Sequence, residues 1–155
     1  MTLEIVPAYD RKEEIKELFA EYTDMLVKTD PVFAKYLAIQ GYDDELKDLE
    51  KKYGMPDGRL YLAIWEGKPA GCIALRRLTG ENCEMKRLYV RPAFQGHGIG
   101  RALAEAKNAG YSHMFLDTVP VLADAVRLYR KMGFYETECY NDSPVETTLF
   151  MEYDL

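Results

Sequence analysis

The chain has 155 residues, of which 48% are hydrophobic and 30% are charged, and its formal net charge is -6. This composition predicts a folded globular protein and excludes a disordered chain, while the acidic balance disfavours a general nucleic-acid binder. The three cysteines lie far apart and form no CxxC pair, so we expect reduced thiols and no metal site.

We expect neither a signal peptide nor a membrane span in this sequence. Residues 1–10 hold no basic region followed by an apolar run, and no stretch approaches the roughly 20 apolar residues that a membrane span needs. We therefore expect a cytoplasmic protein without a membrane partner.

The spacing of apolar residues changes from helical to alternating along the chain, and these changes delimit the predicted elements. Asp10 and Glu13 stand at capping-box spacing before a helical pattern, and Asp30 followed by Pro31 predicts the start of the next helix. The predicted strands cover residues 3–6, 60–65, 70–78, 83–90, 111–118, 134–140 and 145–153. The predicted helices cover residues 11–28, 31–39, 43–53, 98–109 and 125–132.

This order of strands and helices is typical of a mixed α/β fold. The turns near residues 66–69 and 79–82 are too short for parallel crossovers, so the second, third and fourth strands should form an antiparallel meander. We expect one domain over residues 1–155, with a mostly antiparallel central sheet of about seven strands flanked by helices.

A glycine-rich turn connects the fourth predicted strand to a helix. Gly96, Gly98 and Gly100 allow backbone N–H groups to approach a phosphate closely, and the first N–H groups of a helix are unpaired. The dinucleotide fingerprint requires glycine where this chain has Arg101, and no GK[ST] triplet is present. The turn therefore predicts either a phosphate site or a tight connection that holds no ligand.

The segment from Leu88 to Leu103 resembles the signature of the GNAT superfamily of N-acetyltransferases. In that family an R/Q-x-x-G-x-G/A turn follows the fourth strand, and QGHGIG at residues 95–100 fits it with glutamine in the first place. Residues 125–134, AVRLYRKMGF, are similar to a second element of the family, A-x-x-L-Y-x-x-x-G-F. The predicted element order also resembles the family across nearly the whole chain.

The sequence departs from the family pattern in two places. Leu122 stands where many members carry an asparagine, so a polar contact to the cofactor is missing from the pattern. The helix predicted over residues 98–109 is also about two turns shorter than is usual in the family.

The resemblance implies that acetyl-CoA is the co-substrate, that no metal takes part, and that a small-molecule or peptide amine is the acceptor. It implies direct attack of a primary amine on the thioester in a ternary complex, and it suggests a homodimer joined through the closing hairpin. The cofactor-binding residues that it implies are Leu88, Val90, Gln95, Gly96, His97, Gly98, Ile99, Gly100 and Arg101.

Two catalytic residues follow from the same resemblance. Tyr129 matches the family tyrosine near the cofactor sulfur and is predicted to be a general acid, although its helical spacing also fits a core aromatic residue. Glu84 is predicted to be the general base, with a surface glutamate as the alternative. His97 occupies a variable place in the turn, where its backbone N–H is the expected contact.

Two other functions fit parts of the sequence. A non-catalytic acyl-CoA-binding module would keep the glycine turn without the chemistry, and the two departures from the family pattern agree with it. A nucleotide-binding regulatory domain is the second, but the glycine spacing argues against it.

Overall fold

The computed structural model describes residues 3–91, 106–141, 143 and 147–155, and all of its strands belong to one sheet. The strands are β1 (Leu3–Pro7), β2 (Arg59–Trp65), β3 (Lys68–Thr79), β4 (Asn82–Val90), β5 (His113–Thr118), β6 (Tyr135–Glu136) and β7 (Leu149–Asp154). The helices are α1 (Lys12–Thr29), α2 (Val32–Ile39), α3 (Tyr42–Lys47), α4 (Leu49–Tyr53) and α5 (Ala123–Met132), and residues 106–108 are also helical.

The seven strands lie in the order β1-β2-β3-β4-β5-β7-β6, and all neighbours are antiparallel except β4 and β5. This confirms the predicted mixed α/β fold with a mostly antiparallel sheet. In the described parts of the chain, no helix is long and apolar enough to cross a membrane.

The first helix packs on the sheet through the residues that its periodicity predicts. Ile15, Leu18 and Phe19 are fully buried, and burying side chains of this size contributes about 1.5–3 kcal/mol each. The predicted N-cap was wrong, because Arg11 occupies that position and makes no side-chain cap hydrogen bond. Arg11 instead pairs with Glu14, Nε to Oε1 at 2.6 Å.

The helix predicted over residues 43–53 is divided into α3 and α4. Asp48 breaks it with a non-helical backbone, φ −149° and ψ 84°, and its side chain accepts a hydrogen bond from the Lys51 N–H. Aspartate at this place competes with the helix for backbone N–H groups, which the periodicity of the apolar residues does not reveal.

The closing hairpin is shorter than predicted. Only Tyr135 and Glu136 form β6, although the Thr137 N–H donates to the Phe150 carbonyl one residue further on. The second predicted strand begins at Leu149, and residues 144–146 lie outside the described part of the chain.

The sheet divides between its two parallel strands. Residues 82–84 of β4 pair with residues 113–115 of β5, and from residue 85 to residue 90 the described ladder of β4 runs along β3 alone. The hydrogen-bonding edge of β4 that faces β5 is therefore open in this stretch, as far as the described residues show.

A β-bulge lies in β4 at the same place. Cys72 pairs with Tyr89 and Ala74 with Lys86, so that Ile73 alone stands opposite two residues of β4. One of them, Arg87, has a φ of 58°, which is unusual for a residue with a side chain. The bulge turns consecutive side chains of β4 to the same face of the sheet.

The two faces of the sheet at this division differ in chemistry. Met85 of β4 and Leu116 of β5 belong to the apolar cluster that contains Tyr129 of α5. On the other face, Arg87 pairs with α3 and Asp117 accepts a hydrogen bond from α2. One face is therefore apolar and covered by α5, whereas the other carries charged groups and is covered by the first helices.

Candidate active site

A cavity of about 780 Å³ opens where β4 and β5 separate. Its walls come from residues 85–90 of β4, from residues 116–118 of β5 and the loop that follows, from α1 and α2, and from α5. Because α5 covers one face of the sheet and α1 and α2 cover the other, the cavity connects the two faces through the gap between β4 and β5.

The wall on the α5 side contains three of the residues predicted from the sequence. Tyr129, Leu88 and Val90 all line the cavity, and Tyr129 is 8% exposed. The Tyr129 ring packs edge-on against Phe134, with ring centroids 5.8 Å apart. Burial, followed by the nearby Tyr22 and Asp117, raises the pKa of Tyr129 above its usual value, so the phenol keeps its proton at neutral pH.

The wall on the α1–α2 side is mainly aromatic and apolar. The residues there that line the cavity are Tyr22, Met25, Leu26, Phe33, Tyr36, Leu37 and Gln40. Leu26, Phe33 and Tyr36 form a small buried cluster with Val119 from the loop after β5. The side-chain oxygen of Gln40 is buried and has no hydrogen-bond partner among the described residues.

A hydrogen-bonded group that sequence reasoning missed lies at this wall. Asp117 of β5 accepts a hydrogen bond from the Tyr36 hydroxyl and a second one, at 2.8 Å, from the Asn141 side-chain amide. Asn141 also donates to the Tyr36 hydroxyl at 2.9 Å. Burial raises the pKa of Asp117, against a lowering by the Asn141 hydrogen bond. A polar residue at the end of a buried strand was the only signal in the sequence.

The predicted base, Glu84, is buried below the cavity wall at 1% exposure. Its carboxylate lies 2.8 Å from Arg76 Nε, accepts a hydrogen bond from the Tyr140 hydroxyl at 2.7 Å, and lies 4.0 Å from Lys86 Nζ. Burial raises the pKa of Glu84, but Lys86, Arg76 and Tyr140 outweigh it and the pKa is lowered overall. The neighbour Lys86, in contrast to Glu84, is among the lining residues of the cavity.

Lys86 is a buried basic group of the cavity wall. Its side chain is 7% exposed, and burial lowers its pKa to about 7 although Glu84 acts in the opposite direction. A pKa near neutrality makes the neutral form of Lys86 accessible, and the nitrogen lone pair of that form can accept a proton.

A second buried ion-pair cluster fixes the bulge. Arg87 forms two hydrogen bonds of 3.0 Å to Glu45 of α3, and Lys52 of α4 lies 2.8 Å from the same carboxylate. Burial acts to raise the pKa of Glu45, but the two cations lower it overall. This pairing holds the unusual backbone of Arg87 and attaches the bulged strand to the first helices.

The residues predicted to hold the pyrophosphate lie outside the described ranges. They are Gln95, Gly96, His97, Gly98, Ile99, Gly100 and Arg101. Their role stays a prediction from the sequence.

Three surface side chains are close enough to share a metal ion. His113 Nδ1 lies 3.0 Å from both Glu152 Oε2 and Asp154 Oδ1, and the Tyr135 hydroxyl, which has one proton to donate, lies 2.9 Å and 2.6 Å from the same two atoms. These groups already satisfy one another, since the hydroxyl and the imidazole both have donors to offer the two carboxylates.

Comparisons with known proteins agree with this architecture. The family model described as the acetyltransferase (GNAT) family matches residues 13–134, so the chain belongs to that family. An uncharacterised N-acetyltransferase of Schizosaccharomyces pombe is 40% identical over 130 residues, which cover 79% of this chain and 80% of that protein. The acyltransferase class predicted from the sequence is thereby confirmed.

Solved structures of low identity share the fold. An acetyltransferase of Streptococcus agalactiae has a TM-score of 0.74 at 18% identity, with 99% of this chain and 98% of that chain covered. The PaiA N-acetyltransferase of Thermoplasma acidophilum, solved in complex with coenzyme A, has a TM-score of 0.71 at 17% identity, with both chains fully covered at 100%.

Proposed function

We propose that this protein transfers the acetyl group of acetyl-CoA to a primary amine by direct attack in a ternary complex. The observation that carries the proposal is the cavity through the divided sheet, which gives two reactants access to one point from opposite faces. Membership of the acetyltransferase family supports it, as does the complex of the Thermoplasma protein with coenzyme A.

The α5 side of the cavity fits the acyl-carrying arm of the co-substrate. That arm is a chain of amide and methylene groups, and the open edge of β4 at residues 85–90 offers backbone groups while Leu88 and Val90 offer apolar contact. The predicted turn at residues 95–101 would bind the pyrophosphate through its backbone N–H groups.

Tyr129 is the proposed general acid for the departing sulfur. When the amine attacks the thioester carbonyl, the C–N bond forms and the C–S bond breaks, and the electron pair of that bond goes to sulfur. Tyr129 donates its proton to the thiolate and regains one from solvent. The ammonium loses two protons in the whole reaction, so that the net products are the amide, the free thiol and one proton released to solvent.

The acceptor must lose a proton before attack, because an alkylammonium has no free lone pair. Glu84 remains the sequence-based prediction for this step, but its lowered pKa makes it a weak proton acceptor. We assign the removal of the proton from the amine to Lys86, which lines the cavity. Glu84, whose carboxylate lies 4.0 Å from Lys86 Nζ, adjusts the pKa of Lys86.

Titration calorimetry with acetyl-CoA, followed by turnover assays on amines, tests the proposal. We expect saturable binding near one site per chain and release of free thiol that depends on an added amine. Tyr129→Phe should keep the binding constant and lower kcat by about 100-fold, the lower end of the usual effect of a general acid. Tyr135→Phe is the matched control, since this exposed tyrosine lies on β6 and outside the cavity.

Three results would count against the proposal. Folded protein that fails to bind acetyl-CoA at high micromolar concentration would exclude both the enzyme and the acyl-CoA-binding module. Binding without any amine-dependent thiol release would favour the module. Equal kcat values for Tyr129→Phe and the wild type would remove Tyr129 from the chemistry.

A further inference from the structure

The carboxylates near the division of the sheet differ in their partners. Glu45 and Glu84 each lie beside two basic side chains, as described above. Asp117 forms no ion pair within the described ranges, and its hydrogen-bond donors, Tyr36 and Asn141, are both neutral. When Asp117 is ionised, no basic side chain of the described residues pairs with its charge.

Such an arrangement is costly for the folded protein. A carboxylate that leaves bulk water loses hydration, and neutral donors replace only part of it. The raised pKa of Asp117 has burial as its largest cause, which agrees with this reasoning. A cation that entered the cavity and lay against Asp117 would offset the loss.

Asp117 lies at the place where such a cation would react. It lines the cavity on the wall of the first helices, and its charge contributes, after burial and Tyr22, to the raised pKa of Tyr129 on the α5 side. The buried oxygen of Gln40, which has no partner in the described part of the chain, is a second acceptor in the same wall. Two acceptors beside an apolar surface fit a ligand that has N–H donors at one end.

We propose that Asp117 binds the ammonium group of the acceptor and that the acceptor is a small monoamine whose carbon chain is apolar. This inference rests on the proposed function and names its substrate class. The wall around Asp117 is built from Tyr22, Met25, Phe33 and Leu37, which suit a branched alkyl or aromatic group. The other carboxylate that lines the cavity among the described residues, Asp124, is exposed and paired with Arg127, so a second ammonium group on the acceptor would gain little from it.

A panel of four matched compounds tests the substrate class on the wild-type protein. Isoamylamine carries one ammonium on a branched alkyl chain, isoamyl alcohol replaces the ammonium with a hydroxyl, leucine adds a carboxylate, and 1,5-diaminopentane adds a second ammonium. With coenzyme A present, we expect calorimetry to show binding of isoamylamine at least ten times tighter than binding of the other three. Equal or tighter binding of leucine or of the diamine would overturn the assigned class.

Asp117→Asn tests the residue. The substitution keeps the shape and one acceptor oxygen but removes the charge, so the dissociation constant and the KM of isoamylamine should rise about 30-fold or more. The dissociation constant of acetyl-CoA should stay within about twofold, which also reports that the variant is folded. Asp124→Asn is the matched control, because Asp124 also lines the cavity but is exposed and paired with Arg127.

The two readouts separate this inference from the proposed function. If the wild type acetylates amines but Asp117→Asn keeps the wild-type KM, the Asp117 inference fails and the acetyltransferase stands. If isoamylamine binds through Asp117 without any turnover, the ammonium site stands and the proposed reaction fails. If no amine of the panel binds to the wild type, the inference is wrong whatever the outcome with acetyl-CoA.

Discussion

The carboxylates of the charged face belong to two kinds of environment. Glu45 and Glu84 are buried at 5% and 1% exposure, and basic side chains lower their pKa values. Asp117 lies on β5, two residues beyond the partner of Glu84; burial raises its pKa, and its side-chain hydrogen-bond donors are Tyr36 and Asn141. The first kind fixes the backbone of β4, whereas the second leaves a charge available at the cavity. The acids with a structural role are thus the ones that are paired with basic side chains, and the acid proposed to bind a ligand is the one that is not.

The largest expected effect is the loss of stability on breaking the buried pair of Arg87 and Glu45. Arg87→Ala should lower the free energy of unfolding by about 3–5 kcal/mol, because Glu45 would remain buried with only Lys52 beside it. Urea denaturation at pH 7 measures this change.

Arg91→Ala is the control for that measurement. Arg91 also pairs with a glutamate, Glu21, at 2.6 Å, but both side chains are partly exposed, and pairs of this kind contribute at most about 1 kcal/mol. If the two alanine variants lost the same stability, burial of the Arg87 pair would not have the structural role that we assign to it.

An intermediate effect is expected from Glu84→Gln. Removal of the negative charge removes the influence that holds the pKa of Lys86 up near 7, so the rising part of the kcat profile against pH should move about one pH unit lower. Saturating amine and acetyl-CoA restrict the profile to groups in the ternary complex. A loss of kcat of about 100-fold at every pH would instead make Glu84 the direct proton acceptor.

The smallest expected effect is on the stability of Asp117→Asn, and its sign is opposite to the sign expected when a paired glutamate is replaced. Because the folded-state pKa of Asp117 is raised, its ionised form disfavours the folded state above that pKa, and this cost disappears as the pH falls toward about 3.9. Asp117→Asn should therefore be slightly more stable than the wild type at pH 7, and the difference should vanish near pH 4.

Thermal unfolding between pH 4 and pH 8 measures that difference. Glu45→Gln provides the contrast, since the lowered pKa of Glu45 contributes stability that is present above about pH 4.3 and is lost as the pH falls through the folded-state pKa. Glu45→Gln should be less stable than the wild type at pH 7. If Asp117→Asn were less stable than the wild type at pH 7, Asp117 would have a structural role like that of Glu45.

Local patterns predicted most of the elements and the residues on the α5 side. Alternation gave the meander, helical spacing gave α1 and α5, and the match at residues 125–134 singled out Tyr129, which lines the cavity. These signals operate within a few residues along the chain. For the same reason they missed the break at Asp48, where one side chain competes with the helix.

The charged side of the site depends on contacts between distant residues. Tyr36 and Asp117 are 81 residues apart, and Asn141 approaches Asp117 across 24. The bulge that turns Lys86 and Arg87 to one face depends on the register with β3, where a Cβ on Gly71 would lie 2.5 Å from the Tyr89 carbonyl oxygen. No spacing rule within β4 or β5 contains this information.

The division of the sheet also bears on how the protein unfolds. In the described residues, three residue pairs of β4 and β5 are the ladder that joins the block β1–β4 to the block β5–β7. Each block has its own longer ladders, so each can act as a separate cooperative unit in native-state hydrogen exchange. A ligand that lies in the gap and contacts both strands would merge the two units, and the amides of the blocks would then exchange through one common opening.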